Sequence, residues 1–166
     1  MKYSKQATEN FAKQIHKEEC LESINQLIID EGCVDQNLNF LGDEVVLNMD
    51  CVEGKVASIE KRSPVKSMDS AFVAEDISGT SQEIVFVEYR FNYKNLSNLK
   101  KQDLFGKVVG STSTLNQPSN IHGNYYFIFN SNLKQQAKNR FNRMNPAMPQ
   151  HYVATDMHDI KNIFFD

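Results

Sequence analysis

The run "EIVFVEYRFNY" at 83–93 constrains this chain more than any other stretch. In an extended strand, side chains two apart share a face, so Ile84, Phe86, Glu88 and Arg90 point one way. Val85, Val87, Tyr89 and Phe91 point the other. With both faces largely apolar, the run reads as a central strand covered on both sides. A carboxylate and a guanidinium inside such a strand are costly unless they are paired or put to use.

The preceding apolar run, "SAFVAEDI", connects to it through "SGTSQ", a short Gly-containing link that predicts an antiparallel hairpin. Folding back around Gly79 and Thr80 sets Asp69 opposite residues near 90 to 92, within reach of Glu88. Farther on, "YYFIF" at 125–129 reads as a strand buried on both faces. Leu133, Ala137, Phe141 and Met144 then form a helical stripe that Pro146 ends. A last strand, "HYVAT", and a short amphipathic tail finish the chain.

Ahead of the hairpin, 9–31 lacks Gly and Pro and carries Cys20, Leu21, Ile24, Leu27 and Ile28 at helical spacing, which predicts a long helix stopped by Gly32. Phe11 and Ile15 fall on a different face of that helix. "DEVVLNMDCV" and "KVASIEKR", separated by Glu53-Gly54, predict a first hairpin. From Leu96 to about Val109 the pattern is helical with an interruption at Gly106, and "STSTLNQPSNIHGN" reads as a polar loop. The class is α/β or α+β, a mixed sheet flanked by helices, in a single domain over 1–166.

At 166 residues, 40% hydrophobic and 23% charged, the chain can bury a full core without staples. Cys20, Cys33 and Cys51 are odd in number and contain no C-x-x-C pair, so reduced, partly buried thiols are expected. An N-terminus without an apolar h-region, and the lack of any run of about 18 apolar residues, predict a cytoplasmic protein with no membrane partner. The net charge of −3, from 21 acidic against 18 basic side chains, weighs against a free-standing duplex-DNA binder. One net number still allows an acidic site and a basic stripe to coexist.

Two carboxylates, Asp69 and Glu88, with the Arg90 cation at one end of a sheet suit metal-assisted phosphodiester hydrolysis. Hard oxygen ligands of this kind hold Mg²⁺ or Mn²⁺. The structural alternative is that Asp69 caps a turn while Glu88 pairs with Arg90 or a lysine.

"MDSAFVAED…EIVFVEYR" resembles the paired signature of the PD-(D/E)xK, or restriction-endonuclease-like, superfamily: an Asp opening one strand and Glu-x-Lys in the next. "NYKNLSNLKKQDLFGKV" is similar to the helix that follows this motif, and the likeness, which extends to Mrr-like and ATPase-associated nuclease-like domains, spans roughly 60–160. It implies a restriction-endonuclease-like sheet, DNA as substrate, Asp69 and Glu88 as metal ligands with the Tyr89 carbonyl, and Arg90 in the lysine's position. Met68 stands where the motif has Pro. Arg90 is the larger departure, because a planar, permanently charged fork is not equivalent to an ammonium. The resemblance offers Glu22 as a match for the acid that some members carry on the first helix, but it lies away from the apolar stripe, which fits a solvated face better. The same likeness admits a non-catalytic reading, an immunity or antitoxin domain whose partner is a protein such as a toxin.

Lys94, Lys100 and Lys101 beside Tyr93 form one basic patch, and Asn139, Arg140, Asn142 and Arg143 a second; both fit phosphate contact or a solvated face. His151, His158, Asp156 and Asp159 lack a recognised metal-ligand spacing. No P-loop, G-x-S-x-G or H-E-x-x-H occurs.

Overall fold

The computed structural model describes residues 1–34 and 42–166. The N-terminal half carries strand β1 (Lys2–Tyr3), helix α1 (Lys5–Gln14), a 3₁₀ turn (Glu18–Cys20), β2 (Leu21–Ser23), α2 (Ile24–Asp30), β3 (Val45–Asn48) and α3 (Met49–Ile59). There follow β4 (Ser70–Glu75), β5 (Gln82–Tyr89), α4 (Lys101–Thr114), β6 (Tyr125–Ile128), α5 (Lys134–Arg143), β7 (Tyr152–Thr155) and α6 (Met157–Ile160), which runs into a π-helical turn (Lys161–Phe165).

The strands form one mixed sheet in the order β2-β3-β4-β5-β6-β7, with β1 paired to the far end of β4. Neighbours from β2 to β5 are antiparallel, whereas β5-β6 and β6-β7 are parallel. Parallel neighbours need a crossover, and α4 and α5 supply the two. The expected class, a mixed sheet flanked by helices, is what forms.

The alternation in β5 divides the core in two. Ile84 and Phe86 join Leu47, Leu104, Val108, Phe127 and Phe141 on one face. Val85, Val87, Tyr89 and Phe91 join Ile24, Ile28, Phe72, Ile128 and Phe164 on the other. Between β1 and β3 the middle of β4 lacks a strand partner, and α1 fills the gap: the buried Thr8 hydroxyl accepts from Val73 N–H at 3.0 Å. Asp76 organises the connection from β4 to β5 by accepting from Thr80 N–H, and Gly79 takes φ +69° in the expected turn.

Three expectations fail. The helix over 9–31 is two helices separated by a 3₁₀ turn and a strand, with His16 at φ 55° where the first run ends. The shift of face between Phe11/Ile15 and Cys20/Ile24 marks that break. The hairpin around Glu53-Gly54 is strand β3 followed by α3: the Asn48 side chain accepts from Cys51 N–H and turns the chain into a helix. Met49, Val52, Glu53 and Ala57 then face inward at helical spacing. Cys20 and Cys51, expected as thiols, form a disulfide between the 3₁₀ turn and the first turn of α3. Disulfides persist mainly in oxidising compartments, so this pair lends no support to a cytoplasmic address. Among the described residues no helix is long and apolar enough to cross a membrane.

α4 also departs from its expected bounds, beginning at Lys101 and running through Gly106. Gly110 decides where it lies. A Cβ at Gly110 would come 1.7 Å from the Lys66 carbonyl oxygen, so only glycine lets the helix rest against the segment leading into β4. Ser111 seals the contact by accepting from Met68 N–H at 2.7 Å. Gly110→Ala is expected to cost about 1–3 kcal/mol or more in urea unfolding, because the backbone must move to admit the methyl. Gly106→Ala, whose Cβ would lie 3.9 Å from its nearest neighbour, is the control and is expected to be neutral or to gain up to about 1 kcal/mol.

Candidate functional site

The β4-β5 ladder pairs Ser70 with Val87, so the next rung puts Asp69 across from Glu88 rather than from residues 90 to 92. The symmetry point of the hairpin lies a residue earlier than the Gly79-Thr80 midpoint. Asp69 accepts from Tyr89 N–H at 2.6 Å through Oδ2, which aims its other oxygen at the face shared by Glu88 and Arg90. Arg90 Nη2 lies 2.9 Å from Glu88 Oε1. Its other terminal nitrogen donates to the Tyr93 hydroxyl at 3.2 Å, with the guanidinium 5.6 Å from that ring's centre.

A fourth residue, absent from the hairpin motif, completes the group. Lys107 reaches down from α4, its Nζ 3.3 Å from Asp69 Oδ1 and 3.1 Å from Glu88 Oε1. One ammonium touching both carboxylates keeps them within reach of a single ion. Sequence pattern held a signal for it: Leu104, Lys107, Val108 and Ser111 occupy one helical face, and a lysine among inward-facing positions needs an anionic partner.

Two buried carboxylates in the molecule show what this arrangement leaves open. Glu53 is 1% exposed, and its oxygens accept from Arg62, Thr114 and Val65 N–H. Burial raises its pKa, but these bonds outweigh burial and bring it down to about 2. Glu88 is 2% exposed, yet its Oε2 is buried without any hydrogen-bond partner. Burial, then the charge of Asp69, pushes the Glu88 carboxyl up to about 8 despite Arg90 and Lys107. Asp69 is likewise raised, by burial first. Burial opposes the charge on Lys107, but Glu88 and Asp69 prevail and hold it protonated.

The negative surroundings extend beyond the pair. Glu31, at the end of α2, is raised by burial and by the charges of Asp69 and Asp50, while Asp50 accepts from the Ser67 hydroxyl. Neither acid stood out in the sequence, since neither lies near the hairpin motif.

The remaining candidates separate. Glu22, expected on a first helix, lies on β2 and accepts from Asn48 Nδ2 at 2.8 Å. Among the described residues, no group of three or more histidine, cysteine, aspartate or glutamate side chains is arranged to hold a metal. Glu22 therefore does not join Asp69 and Glu88 as a third ligand. Lys94 is exposed and makes no described contact with the quartet. Tyr89 contributes its N–H to Asp69, and its hydroxyl lies on the opposite face, 3.1 Å from Ser70 Oγ. Asp156 and Asp159 both bind Lys134. His151 lies against the Tyr125 and Tyr152 rings.

A divalent ion suits the donors present. Mg²⁺ is commonly held by one or two carboxylates while keeping several waters, and Asp69 and Glu88 supply two, one with an unused oxygen. Comparison with family models, with curated proteins and with solved structures finds no match to this chain.

The raised Glu88 carboxyl gives a signed prediction. The folded state holds this proton to a higher pH than the unfolded chain, whose value is 4.5, so stability is greatest below the unfolded pKa. It is lost as pH climbs toward about 8. Thermal or urea unfolding without divalent ions is expected to show stability falling by up to about 1.4 kcal/mol per pH unit through that window. Glu88→Gln is expected to flatten the slope.

Proposed function

We propose that this chain is a metal-dependent phosphodiester hydrolase of the PD-(D/E)xK type that acts on DNA, with Asp69 and Glu88 holding Mg²⁺ or Mn²⁺. The observation that carries this reading is the unpartnered Glu88 Oε2, buried beside Asp69 with one ammonium touching both acids. An antiparallel hairpin carrying both carboxylates, followed by a crossover helix to a parallel strand, also supports it. When bound, the ion supplies a more acidic water and a Lewis acid for a phosphate oxygen.

The protein's own groups divide the remaining work. Arg90 is tied to Glu88 and to Tyr93, and its fork suits a phosphate oxygen at the rim of the site. It is ill suited to the compact cationic role that the motif gives to Lys. Lys107 takes that role from the neighbouring helix, a point charge between the two acids that can shift toward a phosphate as the carboxylates turn to a metal. Tyr89 N–H fixes Asp69 throughout.

A second reading, a non-catalytic immunity or interaction domain, is favoured by one observation. Lys107 already touches both carboxylates and Arg90 binds one of them, so the two acids have cationic partners within the chain. Metal binding separates the two readings. At a hundredfold excess over Kd, Mg²⁺ or Mn²⁺ is expected to raise Tm by roughly 5–10 °C, and Asp69→Asn or Glu88→Gln to remove the rise. In plasmid and oligonucleotide cleavage, Lys107→Met is expected to lose about a hundredfold or more, whereas Arg90→Lys retains activity. Neither a metal-dependent rise nor cleavage in the wild type would leave the quartet structural and the interaction domain as the account.

A further inference from the structure

Two basic patches that lie some forty residues apart in sequence meet in the fold. Lys100 and Lys101 at the start of α4 face Arg140 and Arg143 at the end of α5 across a cleft of about 580 Å³, with Phe105 and Met144 also in its wall. No carboxylate lines this cleft. Among the described residues none of the four cations is in an ion pair, and the nearby Asp103 is taken up by Lys66. Such a concentration of basic side chains, with Asp103 the nearby acid and already bonded to Lys66, invites an anion.

The details favour phosphate. No side chain caps α4, a helix of 14 residues, so its first amide groups add to the positive field at the cleft. Arg140 donates to the Leu99 carbonyl through Nη2 at 3.4 Å, and its Nε is buried with no partner. Lys101 is braced by the Pro146 and Ala147 carbonyls and lies 5.3 Å from the centre of the Phe105 ring. Lys100 and Arg143 are exposed. Fixed cations beside an aromatic ring are what a strand with phosphates and bases requires.

The cleft also lies along the helix that reaches the carboxylates. Lys100 precedes Lys107 by seven residues, or about 10 Å along α4, which is close to three nucleotide rises. We propose that the cleft between the start of α4 and the end of α5 binds the sugar-phosphate backbone of a nucleic-acid strand and leads it toward Asp69 and Glu88. Its direction rests on the phosphodiester reading; the binding itself needs neither carboxylate nor metal.

The test is fluorescence anisotropy of the full chain with short labelled single-stranded and duplex oligonucleotides in EDTA, between about 50 and 200 mM NaCl. At least one oligonucleotide is expected to bind, with affinity falling steeply as salt rises. Reversing both exposed cations, Lys100→Glu with Arg143→Glu, is expected to weaken binding at least about tenfold. The milder Lys100→Gln with Arg143→Gln should lower the salt slope by about 1.4 for single strands or 1.8 for duplex. Thermal melts confirm that both double variants fold, and the Gln pair serves if the Glu pair does not. No binding of either oligonucleotide at the lowest salt, or equal affinity in folded variants, would overturn the proposal. Competition by polyglutamate as effective, per charge, as by oligonucleotide would also overturn it and assign the cleft to an acidic protein surface. Binding without cleavage would remove the hydrolase reading and leave the cleft.

Discussion

A glutamate buried in a sheet covered on both faces needs a cation or a proton, and here Arg90, from its own strand, is joined by a second cation from outside the sheet. Lys107 descends from α4 to Glu88 and Asp69, and its approach depends on Gly110 letting the helix rest on the Lys66 carbonyl. The same contact fixes the segment that ends in Met68 and so the position of Asp69 itself. Helix, strand entry and charge group are thus one mechanical unit, and the parallel crossover from β5 to β6 puts α4 in position to form it.

Much of the core was legible because its residues obey simple periods. Residues 70–75 and 82–89 alternate as strands, Gly79 turns the chain between them, and 125–128 is apolar on both faces. The pairing of Asp69 with Glu88 followed from the hairpin, although its register differed. The errors came where two signals competed. Residues 45–59 are dense in β-branched side chains, yet only the first four form a strand; the cap at Asn48 and the inward spacing of Met49, Val52, Glu53 and Ala57 outweigh propensity. In 9–31 the absence of Gly and Pro suggested continuity, whereas the change of apolar face recorded the break.

The site was half legible. Asp69, Glu88 and Arg90 share a motif, so their proximity could be read from two strands and a turn. Lys107 belongs to another element, and nothing local joins it to the carboxylates. Its clue was negative: a charged residue on the buried face of a helix, in line with Leu104, Val108 and Ser111. The union of Lys100 and Lys101 with Arg140 and Arg143 was beyond local reading for the same reason, since it depends on how two crossover helices lie side by side.

The origin of Lys107 in a crossover helix bears on how the chain reaches its fold. The β4-β5 hairpin is local and can close early, but closing it sets Asp69 across from Glu88 with Arg90 as the only cation of the motif, and opposed like charges weaken a hairpin. The missing charge arrives when α4 docks, an event tied to the slower, non-local pairing of β5 with β6. Until then the young hairpin is steadier with a proton on one of its acids. Docking of the helix adds an ammonium to that group and buries it, so the last long-range step of assembly also sets the surroundings in which its acids titrate.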